Sequence, residues 1–193
     1  MPASKSNPRI ADRLAAARRT RFVGREAELD LFRSALLAPE PPFAVLHVYG
    51  PGGIGKTTLV QECARIGRDN GRPVVRLDVR HLEPAPAVLL ANLGHALGLA
   101  PGDTSALAQW PANGILIIDT YESFVSLDGW LREEFLPQLP AQTLVVIAGR
   151  LPPAAAWSTD IDWAPLTRIL ALRNLRPEES QTYLTVRGVP PAR

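Results

Sequence analysis

Short apolar runs alternate with amphipathic stretches along most of this chain. Near-continuous apolar runs are typical of strands buried on both faces of a parallel sheet. Between the runs, apolar residues recur at helical spacing, as Leu29, Phe32 and Leu36 do. Strands that alternate with helices in this way predict an α/β fold, with a parallel sheet covered by helices on both faces. The predicted strands are 43–49, 74–79, 114–119, 143–148 and 168–172.

The intervening segments predict five helices and two loop-rich regions. One helix is expected to begin in the segment that starts at Phe22 and to end at about Leu37. A short helix is expected around Leu131, with Asp128 as its N-cap. The other helices follow the first strand to about Gly71, run from Pro84 and Pro86 to Leu97, and begin at Arg176. Residues 99–113 and 151–166 are predicted to be loops.

A glycine-rich turn between the first strand and the next helix matches the phosphate-binding pattern G-x-x-x-x-G-K-[ST] at every fixed position. Glycines allow backbone N–H groups to point at a phosphate without an intervening Cβ. The start of the helix adds unpaired N–H groups and the positive end of its dipole. Lys56 supplies charge for the β and γ phosphates, and the Thr57 hydroxyl can bind Mg²⁺. The predicted phosphate-binding residues are Gly50, Gly52, Gly53, Ile54, Gly55, Lys56, Thr57 and Thr58.

Two acids lie at or just after the end of the third predicted strand. Asp119 ends that strand, at the edge where ligands bind in open α/β sheets, so it is a candidate to hold Mg²⁺ together with Thr57. An ordinary strand-capping aspartate is the alternative. Glu122 is a candidate to polarise an attacking water, or else an acid stabilised by the dipole of a helix start.

Arg150 follows the fourth predicted strand on the same edge. Its guanidinium would approach the γ-phosphate if this strand lay between the first and the third, because arginine is always charged and forks onto phosphate oxygens. A structural salt bridge is the competing role for this side chain.

Composition narrows the class of protein. The only cysteine, Cys63, excludes an intramolecular disulfide, indicates a reducing, cytoplasmic location and falls on the apolar side of its helix. No apolar run is long enough to cross a bilayer. His47 lies in an apolar strand and is expected to be a satisfied core group. Residues 1–25 carry a net charge of +6 within a chain of net charge +2, and residues 1–21 are predicted to be a basic, partly disordered leader.

Together these residues resemble the AAA+/STAND type of P-loop ATPases (signal-transduction ATPases with numerous domains), which includes the origin-recognition-like ATPase domain. The resemblance is carried by Phe22-Val-Gly-Arg-Glu26, the phosphate loop, Ile-Ile-Asp119, Ala-Gly-Arg150 and the segment 172–184. It implies a three-layer α/β/α sandwich with a five-stranded parallel sheet of order 5-1-4-3-2. It also implies that adenine is held near Val23, Gly24 and Arg25, and that ATP and ADP switch a larger bacterial signalling or transcription-regulating protein.

The sequence departs from this family in ways that bear on catalysis. Thr120 follows Asp119 where many relatives have a second acid, which leaves Glu122 as the substitute base. The resemblance places the ATPase core at 22–174 and the start of a truncated helical lid at 175–193. The remaining lid, a winged-helix domain and sensor or effector domains are then expected outside this chain, so slow or absent turnover is predicted.

The leading hypothesis is therefore an ATP- and Mg²⁺-binding regulatory switch with weak ATPase activity at most. In this hypothesis Lys56 holds the phosphates, Glu122 orients water, and Arg150 senses the γ-phosphate. Self-association and an arginine supplied by a second molecule are further expectations from the family. One alternative is a scaffold domain that binds nucleotide without hydrolysing it. The other is an ATPase that contacts DNA through the basic leader.

Overall fold

The computed structural model describes residues 9–189, which divide into two compact units. The larger unit is Glu26–Arg173, and the smaller unit combines the segment up to Arg25 with the segment from Asn174 onward. The strands are β1 (Val45–Tyr49), β2 (Val74–Asp78), β3 (Ile115–Asp119), β4 (Leu144–Gly149) and β5 (Thr167–Ala171). The helices are α1 (Ile10–Arg21), α2 (Glu26–Leu37), α3 (Lys56–Asp69), α4 (Pro86–Ala96), α5 (Asp128–Trp130), α6 (Ala156–Thr159), α7 (Trp163–Leu166) and α8 (Pro177–Val186).

The larger unit is built on a five-stranded sheet in which every pairing is parallel. The strand order is β2-β3-β4-β1-β5, which is the predicted order 5-1-4-3-2 read from the other edge. All five predicted strands are present, so the predicted α/β fold is confirmed. β1 lies between β4 and β5, and it carries the phosphate loop at its carboxyl end.

Apolar side chains cover both faces of this sheet, so the unit has three layers with the sheet in the middle. On one face, α3 packs against β2, β3 and β4, and α2 packs against α3. Gly67 of α3 permits the close approach, because a Cβ there would lie 2.5 Å from a side-chain carbon of Ile115. Cys63 is buried on this helix, as expected. The core on the opposite face includes Leu93, Leu116, Ile118, Phe135, Ile147 and Trp157.

Two local predictions in the larger unit are wrong. The segment 151–166 is not all loop, since it contains the four-residue helices α6 and α7; helices this short show no apolar periodicity to detect. Asp128 does not cap a helix through its side chain. Its carboxylate is buried and accepts hydrogen bonds from the Tyr121 hydroxyl at 2.8 Å and the Trp157 indole N–H at 2.9 Å.

The smaller unit contains α1 and α8, which contact each other. Part of the predicted leader is therefore helical, over Ile10–Arg21, and residues 1–8 lie outside the described residues. The leader's contact with DNA stays a prediction. No helix in the described part of the chain is long and apolar enough to cross a membrane.

The packing of α2 gives a test of the larger unit's core. Replacing Phe32, which is 1% exposed, by alanine should lower the free energy of unfolding by about 3–5 kcal/mol, because it removes a buried ring and leaves a cavity. The control is Leu37→Ala on the same helix, whose side chain is 65% exposed; this change should cost less than about 0.5 kcal/mol. Urea unfolding measures both, and equal losses would contradict the burial of this helix face.

Candidate nucleotide-binding site

The sequence-predicted phosphate and metal residues of the larger unit meet at one edge of the sheet. In the parallel register, Tyr49 of β1 lies beside Gly149 of β4, and Asp119 of β3 lies beside Ala148 of β4. Three strands therefore end at nearly the same level. The phosphate loop begins where β1 ends. Asp119 is the last residue of β3, and Arg150 directly follows β4.

The phosphate loop has the backbone that its glycines permit. Gly53 and Gly55 have φ values of 78° and 101°, in the region that disfavours side chains. A Cβ at Gly50 would lie 2.8 Å from the carbonyl oxygen of Leu172, so the loop needs glycine there for a close approach. Cβ atoms added at Gly52, Gly53 or Gly55 would meet no described atom within 4 Å. The space beside these three glycines is therefore open to a ligand.

The start of α3 completes the cradle. Gly55 precedes the helix without a side-chain cap, and the first turn carries no acidic residue. Its first N–H groups have no partner within the helix, and the helix dipole adds a partial positive charge. The intermediate exposure of Thr57 and the exposure of Thr58 leave this end accessible. These are the properties of an anion site.

Lys56 folds back over the loop that precedes it. Its Nζ donates hydrogen bonds to the carbonyl oxygens of Gly50, at 2.6 Å, and Pro51, at 2.9 Å. Burial lowers the pKa of Lys56, while the charges of Glu122 and Asp119 oppose that shift and the charge of Arg150 adds to it. The ammonium group thus shares one electrostatic environment with the other candidate residues.

Thr57 and Asp119 form a direct contact between the helix start and the sheet. The Thr57 hydroxyl donates to Asp119 Oδ1 over 3.3 Å. Asp119 is 2% exposed, and burial raises its pKa, although the hydrogen bond from Thr57 and the charge of Arg76 act against this. Arg76 on the neighbouring β2 places Nη1 3.4 Å from Asp119 Oδ2. Sequence reasoning missed this arginine, because its role depends on the pairing of β2 with β3.

Thr120, which follows Asp119, donates hydrogen bonds to two aspartates. It has a left-handed backbone, with φ 65°. Its N–H donates to Asp119 Oδ1 over 3.0 Å, and its hydroxyl donates to Asp78 Oδ1 over 3.1 Å. Thr120 therefore helps to hold Asp119 and Asp78 in place and offers no carboxylate of its own.

Glu122 and Arg150, predicted to act separately on water and on the γ-phosphate, are joined to each other. Arg150 Nε lies 2.9 Å from Glu122 Oε1, and the Arg150 backbone N–H donates to Glu122 Oε2 over 3.1 Å. The Arg150 side chain is 67% exposed, so the ion pair itself contributes little to stability. The contact that Arg150 makes in this structure is therefore a salt bridge, the role that competes with contact to the γ-phosphate.

The donor set fits a magnesium–nucleotide complex. A hydroxyl and a carboxylate are oxygen ligands of the kind that Mg²⁺ prefers, and Mg²⁺ commonly takes its other ligands from phosphates and water. The open loop, the lysine and the helix start fit the phosphates. When bound, the metal would neutralise phosphate charge, and Thr57 and Asp119 are the residues that would hold it.

The predicted adenine residues Val23, Gly24 and Arg25 belong to the smaller unit. Gly24 and Arg25 both have positive φ, at 71° and 67°. Glu179 at the start of α8 accepts the Arg25 backbone N–H through Oε1 at 3.2 Å and the Arg176 N–H through Oε2 at 2.7 Å. The Arg176 hydrogen bond is the main cause of a lowered pKa for Glu179. Sequence reasoning missed Glu179, which fixes this turn from far along the chain.

Solved structures share the fold at low sequence identity. The chain resembles the ORC1 protein of Aeropyrum pernix, solved in complex with DNA, with a TM-score of 0.57, 18% identity and coverage of 86% of this chain and 50% of that one. Cdc6p of Pyrobaculum aerophilum matches with a TM-score of 0.57 and 15% identity, and the match covers 96% of this chain and 52% of that one. Drosophila ORC bound to DNA matches with a TM-score of 0.63 and 17% identity, and the match covers 88% of this chain and 49% of that one. The chain spans about half the length of each of these proteins.

Sequence comparison identifies the family. Curated protein sequences gave no match. The sequence model of the AAA ATPase domain matches residues 21–187, which is most of the chain. This match agrees with the parallel sheet order and with the phosphate loop at the end of β1. The chain therefore belongs to the AAA ATPase domain family.

Proposed function

We propose that this domain binds ATP and ADP with Mg²⁺ and acts as a regulatory nucleotide switch that hydrolyses ATP slowly at most. The observation that carries the proposal is the Thr57–Asp119 contact beside an open glycine loop. A hydroxyl from the helix start and a carboxylate from the strand end are brought together only because β1, β3 and β4 end at one level. This is where α/β proteins bind ligands.

In this proposal each charged residue exchanges a protein partner for a ligand. Lys56 leaves the carbonyl oxygens of Gly50 and Pro51 and contacts the β and γ phosphates. Asp119 would exchange its contact with Arg76 for the metal ion. Arg150 can reach a γ-phosphate only by loosening its contact with Glu122, and the same movement would free Glu122 to orient water. ATP and ADP would therefore differ in whether they separate this pair.

The switch role and the assignment to the STAND branch rest on the sequence resemblance. Val23, Gly24 and Arg25 are the proposed adenine contacts. The buried Arg25 and the two hydrogen bonds to Glu179 support a rigid turn at this segment. A rigid turn suits recognition of a flat base, because little conformational entropy is lost on binding.

One observation favours a second function, a nucleotide-binding scaffold without turnover. Glu122 is held by both the backbone and the side chain of Arg150, and Thr120 supplies no carboxylate in its place. A general base must reach the proton that it abstracts. If Glu122 stays with Arg150 when nucleotide binds, the domain keeps its nucleotide intact.

Lys56 and Asp119 should both contribute to the affinity for ATP. Lys56→Ala should weaken ATP binding about 10- to 100-fold, since a charge-assisted hydrogen bond contributes about 1.5–3 kcal/mol. Asp119→Asn should reduce the gain in ATP affinity that Mg²⁺ gives. Isothermal titration calorimetry with ATP, in Mg²⁺ and then in EDTA, measures both effects.

Arg68→Ala is the matched control for binding, because Arg68 is exposed in the last turn of the same helix. It should leave ATP affinity unchanged within about twofold. An Asp119→Asn variant with the native response to Mg²⁺ would remove Asp119 from the metal site. Unchanged ATP affinity in Lys56→Ala would contradict nucleotide binding at this loop.

The role of Glu122 distinguishes the switch from the scaffold. If Glu122 orients water, Glu122→Gln should lower the rate of phosphate release from saturating ATP by about 10²- to 10⁴-fold while leaving ATP affinity nearly native. Release is followed over hours with purified protein, and Lys56→Ala sets the background. Equal rates in all three proteins, with ATP bound to the native chain, would support the scaffold and exclude hydrolysis.

A further inference from the structure

A groove of about 1060 Å³ lies at the edge of the sheet opposite the phosphate loop. Its wall includes Ala44, Thr143 and Leu166, which directly precede β1, β4 and β5. These strands are parallel, so their amino ends lie together at the edge away from the nucleotide site. All residues of the wall belong to the larger unit. The groove is therefore separate from the candidate nucleotide-binding site.

Apolar side chains that solvent can reach form much of this groove. Leu166 is 46% exposed, and Leu139, Pro140 and Trp163 are partly exposed. The Trp163 ring packs against the buried Trp157, with the ring centroids 5.3 Å apart. A partner that covered these side chains would remove apolar surface from water.

The charged side chains of the groove are mostly acidic. Arg132 is its one basic residue, and it already pairs with Glu133 at 3.0 Å and with Asp160 at 3.3 Å. Glu40 and Asp162 also line the groove and are exposed. The carboxylates of these two residues pair with no described side chain, so they are available to cations of a partner.

This charge distribution selects the class of occupant. A nucleic acid or another polyanion would be repelled by the excess of carboxylates. A metal ion needs several donors at one point, and no group of three or more His, Cys, Asp or Glu side chains in the described part of the chain could hold one. The acids come from three separate segments, around residues 40, 133 and 160–162. They therefore match several cations that are spaced apart.

The size of the groove favours a peptide over a small cation. Small-molecule pockets measure about 300–1000 Å³, and this groove lies at the upper end of that range. In an extended peptide, successive side chains point to opposite sides, and alternate ones lie about 6–7 Å apart. One side of such a peptide can present cations to Glu40 and Asp162 while the other side covers Trp163 and Leu166.

We propose that this groove binds an extended segment of a partner protein in which arginine or lysine residues alternate with apolar residues. Glu40 and Asp162 pair with the basic side chains, and electrostatic complementarity of this kind gives specificity. Leu139, Trp163 and Leu166 contact the apolar side chains. The groove shares no residue with the phosphate loop, so this interaction does not rest on nucleotide binding.

The test uses the full chain and a fluorescently labelled peptide of about eight residues in which arginine and leucine alternate. Fluorescence anisotropy measures its binding at low ionic strength and again with added salt. We expect saturable binding that weakens as the salt concentration rises, because exposed ion pairs are screened. Two control peptides, one with glutamine for arginine and one with serine for leucine, should each bind at least about tenfold more weakly, since each lacks one kind of contact.

Variants at exposed positions locate the binding site on the chain. Glu40→Gln combined with Asp162→Asn should weaken binding of the arginine–leucine peptide by about 3- to 30-fold. Glu83→Gln combined with Glu134→Gln is the matched control, because it removes the same charge from exposed residues outside the groove; it should change the affinity less than about twofold. Ala141→Phe narrows the groove without changing its charge, and it should weaken binding at least about tenfold.

Equal losses in the two double variants would overturn the proposal, because binding would then follow net charge alone. Equal affinity for the serine-containing peptide would also overturn it, since the apolar side chains would have no part in binding. Sedimentation velocity tests a second copy of this chain as the occupant: a salt-dependent dimer that the Glu40→Gln, Asp162→Asn variant loses would exclude a separate partner. Lys56→Ala should bind the peptide with native affinity, so failure of the proposed function and failure of this site are distinguishable.

Discussion

The parallel register of β1, β3 and β4 is the constraint on which this domain depends. Because the strands end together, a glycine loop, a buried aspartate and an arginine from separate parts of the sequence converge on one edge. The apolar layers on both faces hold this register, since a slip of one residue would move each core side chain to the opposite face.

At this edge the charged groups are already satisfied by the protein. Lys56 contacts loop carbonyls, Arg76 contacts Asp119, and Arg150 contacts Glu122. In the proposed function, binding of a polyphosphate is an exchange of partners, and the affinity reflects the difference between two sets of contacts. Such an arrangement keeps the charges compensated in both states. It also makes the geometry of Glu122 depend on where Arg150 is.

The sequence was sufficient for features that depend on local pattern. Apolar runs gave the five strands, and the glycine and lysine spacing gave the loop. Features that depend on pairing across the chain were out of reach: Arg76 meets Asp119 only through the β2–β3 register, and Glu179 meets Arg25 only within the folded smaller unit. Asp128 was misread because a helix cap and a buried acceptor use the same residue type.

The sheet order also has a consequence for how the chain folds during synthesis on the ribosome. Both neighbours of β1 come from the last third of the chain, because it pairs with β4 and β5. At about 5–20 residues per second of synthesis, β1 waits several seconds, with its apolar side chains and edges exposed, until β4 emerges. Nascent chains of this topology should therefore be prone to aggregate, and they should engage chaperones until the last strand closes the sheet.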